Sequence, residues 1–427
     1  MLKRRKIFYG WWIVAASAAL HFFGGGTFYY GFTVFFNPIR QTFGWTAAVT
    51  SAAFALQRLE AGILGPLAGT LVDRLGPRKL MLFGWSSVGL GFILMSRINS
   101  LTAFYVSFTL IAIGMSFASG LVTNTAIANW FSRMRSRAMT FTYIGPGLSG
   151  ILVPLIAISV RQLGWRETLV ATAIGIWLIC IPLSLTVRHR PSQYGYLPDG
   201  DKPTLSNEPT STITGLPAEL TKPVSISPAA DFTARQALKT RTFWLLSAVS
   251  LFQQIAMSAV TVHIVPYLES VGVPTAVAAT AVTGLTLCSL IGRLGFGFLG
   301  DFKNKRHLIA IAIFLQTVGI LIFSFINMDR AWLIIVFLLI FGPGYGAPIP
   351  LRPALQADYF GTRSFGTIMG LMSLISMTGG LASPVVAGWI FDVTGSYRLA
   401  WRIFALVTVP AIPLLLLAKP PKVKSEP

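Results

Sequence analysis

The chain has 427 residues, 54% of them hydrophobic and 11% charged. A soluble domain carries about 25% charged residues, so this composition excludes an ordinary soluble protein and points to repeated passage through a lipid bilayer. The net charge of +20 does not call for a nucleic-acid partner, because the basic residues fall in short clusters between apolar runs, as in loops beside anionic lipid.

Apolar stretches of about 20 residues, long enough to cross a bilayer, recur along the chain. The first, 11–35, follows the basic start "MLKRRKIFYGWWIV" and reads as a retained span, with no small-residue cleavage site to mark a signal peptide. It contains "FFGGGTFYYGFTVFFNP", which sets three glycines beside Tyr29 and Tyr30. The next stretches are 46–71, 79–97, 101–129 (with the polar patch Thr123, Asn124, Thr125), 138–160 and 167–187. A Pro-, Ser- and Thr-rich segment at 188–240 reads as a flexible linker with a short helix near Asp231–Lys239. Six further stretches follow: 241–268, 275–300, 307–327, 331–357, 365–390 and 399–418. The tenth of the twelve contains "FGPGYGAPIPLRPAL", whose Pro343, Pro348, Pro350 and Pro353 predict a broken helix with Tyr345 beside the break.

Lysine and arginine fix the orientation. They cluster at Lys3–Lys6, Arg74–Lys79, Arg133–Arg137, the central linker, Lys303–Arg306 and Lys419–Lys424. The positive-inside rule then places both termini and the linker in the cytoplasm, and an even number of spans agrees. The halves also match each other. Gly69, Asp73 and Arg78 pair with Gly297, Asp301 and Arg306, and Pro38 and Gly44 with Pro266 and Gly272, all at an offset of 228. Such a six-plus-six repeat marks many secondary transporters. The expected fold is all-α: twelve transmembrane helices in two pseudo-symmetric six-helix bundles, 1–187 and 241–427, joined by the cytoplasmic linker 188–240.

The loop "GTLVDRLGPRK" at Gly69–Lys79, its weaker second copy at Gly297–His307 and the twelve spans together resemble the major facilitator superfamily over the whole chain. The resemblance implies that Asp73, Arg74 and Arg78, with Asp301 and Arg306 in the second copy, lock the halves together on the cytoplasmic side. The residues agree, since an aspartate at a helix end beside basic residues can form charge-assisted bonds in one state and lose them in another.

Three basic residues fall well inside spans, Arg58, Arg293 and Arg352, against one acid, Glu60. Cations that outnumber carboxylates around a central cavity suggest an anionic substrate. Arg293 is roughly 12 Å from the cytoplasmic boundary at Asp301 and either contacts substrate or bonds freed backbone carbonyls. Arg58 faces the cavity or pairs with Glu60, although i and i+2 positions on a helix do not face each other. Arg352 is close enough to the inner surface to snorkel and reads as a gating contact, with substrate contact as the alternative. Tyr29, Tyr30, Asn124 and Tyr345 can orient a small polar substrate or simply pack. His21 and His263 either carry protons or bond locally.

"YGWWIV" opening span one, "GFTVFFNPIRQTFGW" closing it and the lone Arg293 of span eight resemble the monocarboxylate transporter family and its bacterial relatives, including oxalate–formate exchangers. The resemblance implies that Arg293 binds the carboxylate. It does not extend to two residues of the animal carriers: Asn37 stands where they have a lysine and Ser289 where they have an aspartate, and span eleven lacks the lysine of oxalate exchangers. The expected function is secondary transport of a small organic anion by a monomer in the bacterial inner membrane, with protons or a counter-transported anion as coupling partners. An exporter of amphipathic compounds and a non-transporting sensor are the alternatives. Phosphate-loop, metal-ligand and nucleophile–base patterns are absent, and Cys180 and Cys288 both lie inside apolar runs, so the sequence predicts neither an enzyme nor a cofactor or metal.

Overall fold

The computed structural model describes residues 7–118, 120–201 and 231–421, with the backbone alone at 47–52, 54, 55, 58, 275, 276 and 279. Span one is Tyr9–Gly24, continued through a π-helical turn at Gly25–Tyr29 into Phe32–Phe43. Spans two and three are Ala47–Leu75 and Pro77–Ser96. Span four runs from Leu101–Ala118 into Leu121–Trp130, span five from Arg135–Thr142 to Leu152–Leu163, and span six is Trp165–Thr186. The second half repeats this as Arg241–Ser270, Thr275–Leu299, Lys305–Phe323, Leu333–Gly346 with Pro348–Phe360, Phe365–Thr394, and Arg398–Thr408 with Ala411–Leu417. Among the described residues, ten helices are long and apolar enough to cross a membrane. Helices suit that solvent because each satisfies its own backbone hydrogen bonds.

Local signals set the helix ends. Gly76, at φ +84°, turns the chain so that Pro77 starts span three at once, where its missing N–H costs nothing. Thr240 and Asn304 cap spans seven and nine by accepting from the backbone N–H of Phe243 and Arg306. The glycine run of span one becomes a π turn in which Tyr30 N–H reaches back to the Gly25 carbonyl at 2.9 Å. Span ten corrects the sequence reading. Its two pieces meet at one residue, Ala347, which itself has helical angles (φ −56°, ψ −43°). Pro348 and Pro350 fall in the first turn of the second piece, where a helix does not need their N–H groups, so the prolines interrupt hydrogen bonding without breaking the path.

Each half has its own aromatic core: Trp85, Phe92, Phe108 and Trp130 in the first, Tyr267, Phe323, Phe337 and Trp401 in the second, all fully buried. Tyr9 Oη donates to the Thr186 carbonyl and Thr242 Oγ1 to the Lys419 carbonyl, so both described chain ends lie on the same face as the linker. We call this the linker face and the opposite one the far face. The expected short helix is present at Ala234–Leu238, with a capping box between Thr233 and Gln236. The rest of the described linker is not a free tether. Asp199 accepts from the N–H groups of Ser132, Arg133 and Met134 in the turn between spans four and five. Asp231 does the same for Thr362 and Arg363 between spans ten and eleven. Residues 202–230 lie outside the described residues.

The halves meet toward the linker face. Span two packs on span eleven through Gly65 and Gly69 against Gly366 and Gly370, and span five on span eight through Ser136 and Thr140 against Gly300 and Gly297. None of these glycines has open room for a Cβ, the close helix approach that small residues permit in membranes. Toward the far face, Phe32–Phe43 packs on spans two, five and six of its own half, and Tyr29 and Tyr30 are half exposed.

Candidate substrate path and inter-half latch

Between the halves, three cavities follow one another from the far face inward. The first, of about 500 Å³, is lined by His21, Tyr29, Tyr30 and Met115 from the first half and by Thr261, Thr286 and Tyr345 from the second. The next, of about 400 Å³, shares Thr261 and Tyr345 with it and adds Gln57, Gln254, Ser373 and Ser376. The innermost, of about 190 Å³, shares Gln254, Ser373 and Ser376 and reaches Tyr143 and Arg352. Tyr29, Tyr30 and Tyr345 are thus brought together around one cavity, and Tyr345 also stacks on Phe341, at 6.1 Å between ring centroids.

Arg293 is not among the lining residues of these cavities. Nη1 donates to the Tyr143 carbonyl at 3.2 Å, Nη2 reaches Ser289 Oγ at 3.5 Å, and Nε is buried without a partner among the described residues. The backbone-carbonyl contact that the sequence left open is therefore formed. It uses little of the capacity of a guanidinium with five donors, and the hydroxyls of Tyr143 and Tyr345 both lie in its field. Asn124 is fully buried. Its Nδ2 donates to Tyr143 Oη at 2.8 Å, while Oδ1 has no partner among the described residues. Tyr143 thus joins Asn124 and Arg293, a role the sequence reading did not assign to it. The side chain of Arg58 lies outside the described residues. Glu60 accepts a long bond from Ser116 Oγ at 3.4 Å, and its Oε2 is buried without a partner among the described residues. Neither Arg293 nor Arg352 forms an ion pair among the described residues.

Arg352, read from sequence as a gating contact near the surface, lies inside. It lines the innermost cavity and donates from Nη2 to Gln253 Oε1. Gln253 reaches Gln316 at 3.5 Å, and Gln316 donates to the Gly344 carbonyl at 2.9 Å, a neutral relay ending in the proline-rich turn of span ten. These amides hold the guanidinium toward the interior in place of a snorkelled position at the surface.

At the linker face the two repeat aspartates cross between halves. Asp73, at the end of span two, accepts from the N–H groups of Gly366 and Thr367 at 2.9 and 2.8 Å and from Thr367 Oγ1 at 2.7 Å. Asp301, at the end of span eight, accepts from Ser136 N–H at 2.9 Å and Arg137 Nε at 2.6 Å. Each carboxylate caps the start of a helix in the other half, where the helix dipole favours negative charge. The arginines of the loop motif take no part: Arg74 and Arg78 are exposed, and Arg306 donates instead to the Ala418 carbonyl at 3.4 Å. Missed in the sequence were Arg135, which joins Asp358 across the halves, and Lys305, which joins the same carboxylate at 2.7 Å. Both stand in basic clusters that served to read orientation.

Two six-helix halves that close at one face around a cavity open toward the other define a membrane carrier of the alternating-access kind. The chain belongs to the Major Facilitator Superfamily, whose model matches residues 14–346 and 264–427. It is 25% identical over 371 residues to the oxalate:formate antiporter of Oxalobacter formigenes, covering 84% of this chain and 82% of that protein. It is 26% identical over 392 residues to monocarboxylate transporter 12 of Rattus norvegicus, covering 88% and 79%. The fold is similar to that of the E. coli fucose:proton symporter, with a TM-score of 0.69 at 16% identity over 95% of this chain and 98% of the other. For the human organic anion transporter MFSD10 the TM-score is 0.70 at 13% identity, over 95% and 99%.

Proposed function

We propose that this protein moves a small organic anion, a monocarboxylate in the simplest case, across the inner membrane by alternating access, with the linker face in the cytoplasm. The observation that carries this reading is the pair of interior arginines, Arg293 and Arg352, neither of which has an acidic partner among the described residues. An unpaired cation in a low-dielectric interior is costly. A carboxylate relieves that cost, and arginine's planar fork suits it. The similarity to the oxalate:formate antiporter and to monocarboxylate transporter 12 supports the same substrate class. Polar side chains along the path, among them Tyr29, Tyr30, Gln57, Gln254, Ser373 and Ser376, suit a small polar solute better than an amphipathic drug.

In this reading the anion enters from the far face, passes the tyrosines and displaces the Tyr143 carbonyl from Arg293. Closure of the far face then accompanies release of the Asp73 and Asp301 contacts. The test is uptake of labelled formate, L-lactate and oxalate into proteoliposomes, with a pH gradient and with each anion preloaded, which also separates symport from exchange. Arg293→Ala should weaken carboxylate binding by about 2–5 kcal/mol, roughly 30-fold or more, while Arg293→Lys keeps charge but loses the fork and should also be strongly impaired. Wild-type uptake by a well-folded Arg293→Ala protein overturns the assignment.

A further inference from the structure

We infer that the innermost cavity is a second anion site, built around Arg352, that takes the same small carboxylate at the linker end of the path. The inference rests on the transport reading but adds a station to it. Arg352 lines a space of about 190 Å³ that joins the middle cavity through Gln254, Ser373 and Ser376. That volume suits a carboxylate of a few heavy atoms and is too small for a drug-sized ligand.

The chemistry of the walls favours an anion over a merely structural cation. The described acceptor of the guanidinium is a neutral amide oxygen, Gln253 Oε1, and Nε is buried without a partner. The Gln253–Gln316–Gly344 relay orients the guanidinium without neutralising it. Ser250, Gln254 and Ser373 add hydroxyl and amide donors around the same space, and among the described residues no carboxylate lines it. Tyr143 stands between this cavity and Arg293: its carbonyl accepts from Arg293 and its hydroxyl lies in the field of both arginines. The two guanidinium groups thus flank one residue, Tyr143, which lines the innermost cavity.

The test is isothermal titration of the full-length protein in detergent with formate and with L-lactate. The expected result is two carboxylates bound per wild-type chain and one per Arg352→Gln chain, the remaining one lost on adding Arg293→Ala. Arg352→Lys should restore the second site about tenfold weaker. Ser250→Leu fills the cavity without changing charge and should also leave one, which keeps the test decisive if Arg352→Gln does not fold. One carboxylate per wild-type chain, unaffected by Arg352→Gln, would overturn the second site and leave the transport reading standing. Two carboxylates on a well-folded Ser250→Leu chain overturn it equally. No binding to the wild type overturns both.

Discussion

Asp73 and Asp301 occupy equivalent places in the repeat but do unequal work. Asp73 accepts from backbone and hydroxyl donors, whereas the Asp301 side chain is only 1% exposed and pairs with the Arg137 guanidinium as well as with backbone. Replacing either by asparagine sets an amide group against N–H donors and leaves some unmade, at about 1–3 kcal/mol. Because Asp301→Asn also strands a partly buried arginine, it should open the linker face further than Asp73→Asn does. Spin labels at Arg78 and Arg363, exposed on opposite halves of that face, should show a longer-distance population by electron–electron double resonance, larger in the Asp301 variant. Carboxylate affinity in detergent should survive Asp73→Asn, and its collapse in a folded protein would place Asp73 in the binding site instead. Arg74→Ala should leave the label distances unchanged, since Arg74 is exposed and makes none of the latch bonds described above.

Among the elements, what the sequence made legible follows from what each signal measures. Apolar runs report membrane solvent, so the spans were readable. Repeated glycines and aspartates report backbone constraints, so the 228-residue repeat and the positions of Asp73 and Asp301 were readable too. Partners were not, because a hydrogen bond across the halves leaves no periodicity. Asp73 therefore suggested a bond to neighbouring arginines, where the structure supplies the start of span eleven. Span ten misled because proline counting ignores position, and Pro348 and Pro350 sit in a first turn that tolerates them. At the described ends of the linker, composition did not reveal fixed contacts, because it describes an average. Residues 188–201 and 231–240 dock through Asp199 and Asp231 onto matching turns of the two halves. The orientation itself is open to a direct measurement. Cysteines placed at Lys3, Ser206 and Lys424 should resist membrane-impermeant thiol reagents in intact cells and react after the membrane is opened, and labelling from outside at any of them would reverse the topology.

At the scale of the whole molecule, the halves touch mainly where side chains are smallest. Gly65 and Gly69 face Gly370 and Gly366 across one seam, and Gly297 and Gly300 face Thr140 and Ser136 across the other. Dispersion falls steeply with separation, so such a seam is either in register or contributes little, and intermediate openings are not stabilised. The carrier should therefore switch between two shapes rather than flex through a continuum. The same seam is a keyhole for trapping it. A side chain at Gly69 would press on the backbone of Gly366 and Thr367, with no flexible group to yield, so Gly69→Leu should act as a wedge that disfavours the shape seen here while leaving Arg293 and Arg352 untouched. Such a variant would hold the protein open toward its linker, the conformation in which the inner end of the path could be probed directly by reagents and ligands applied from that side.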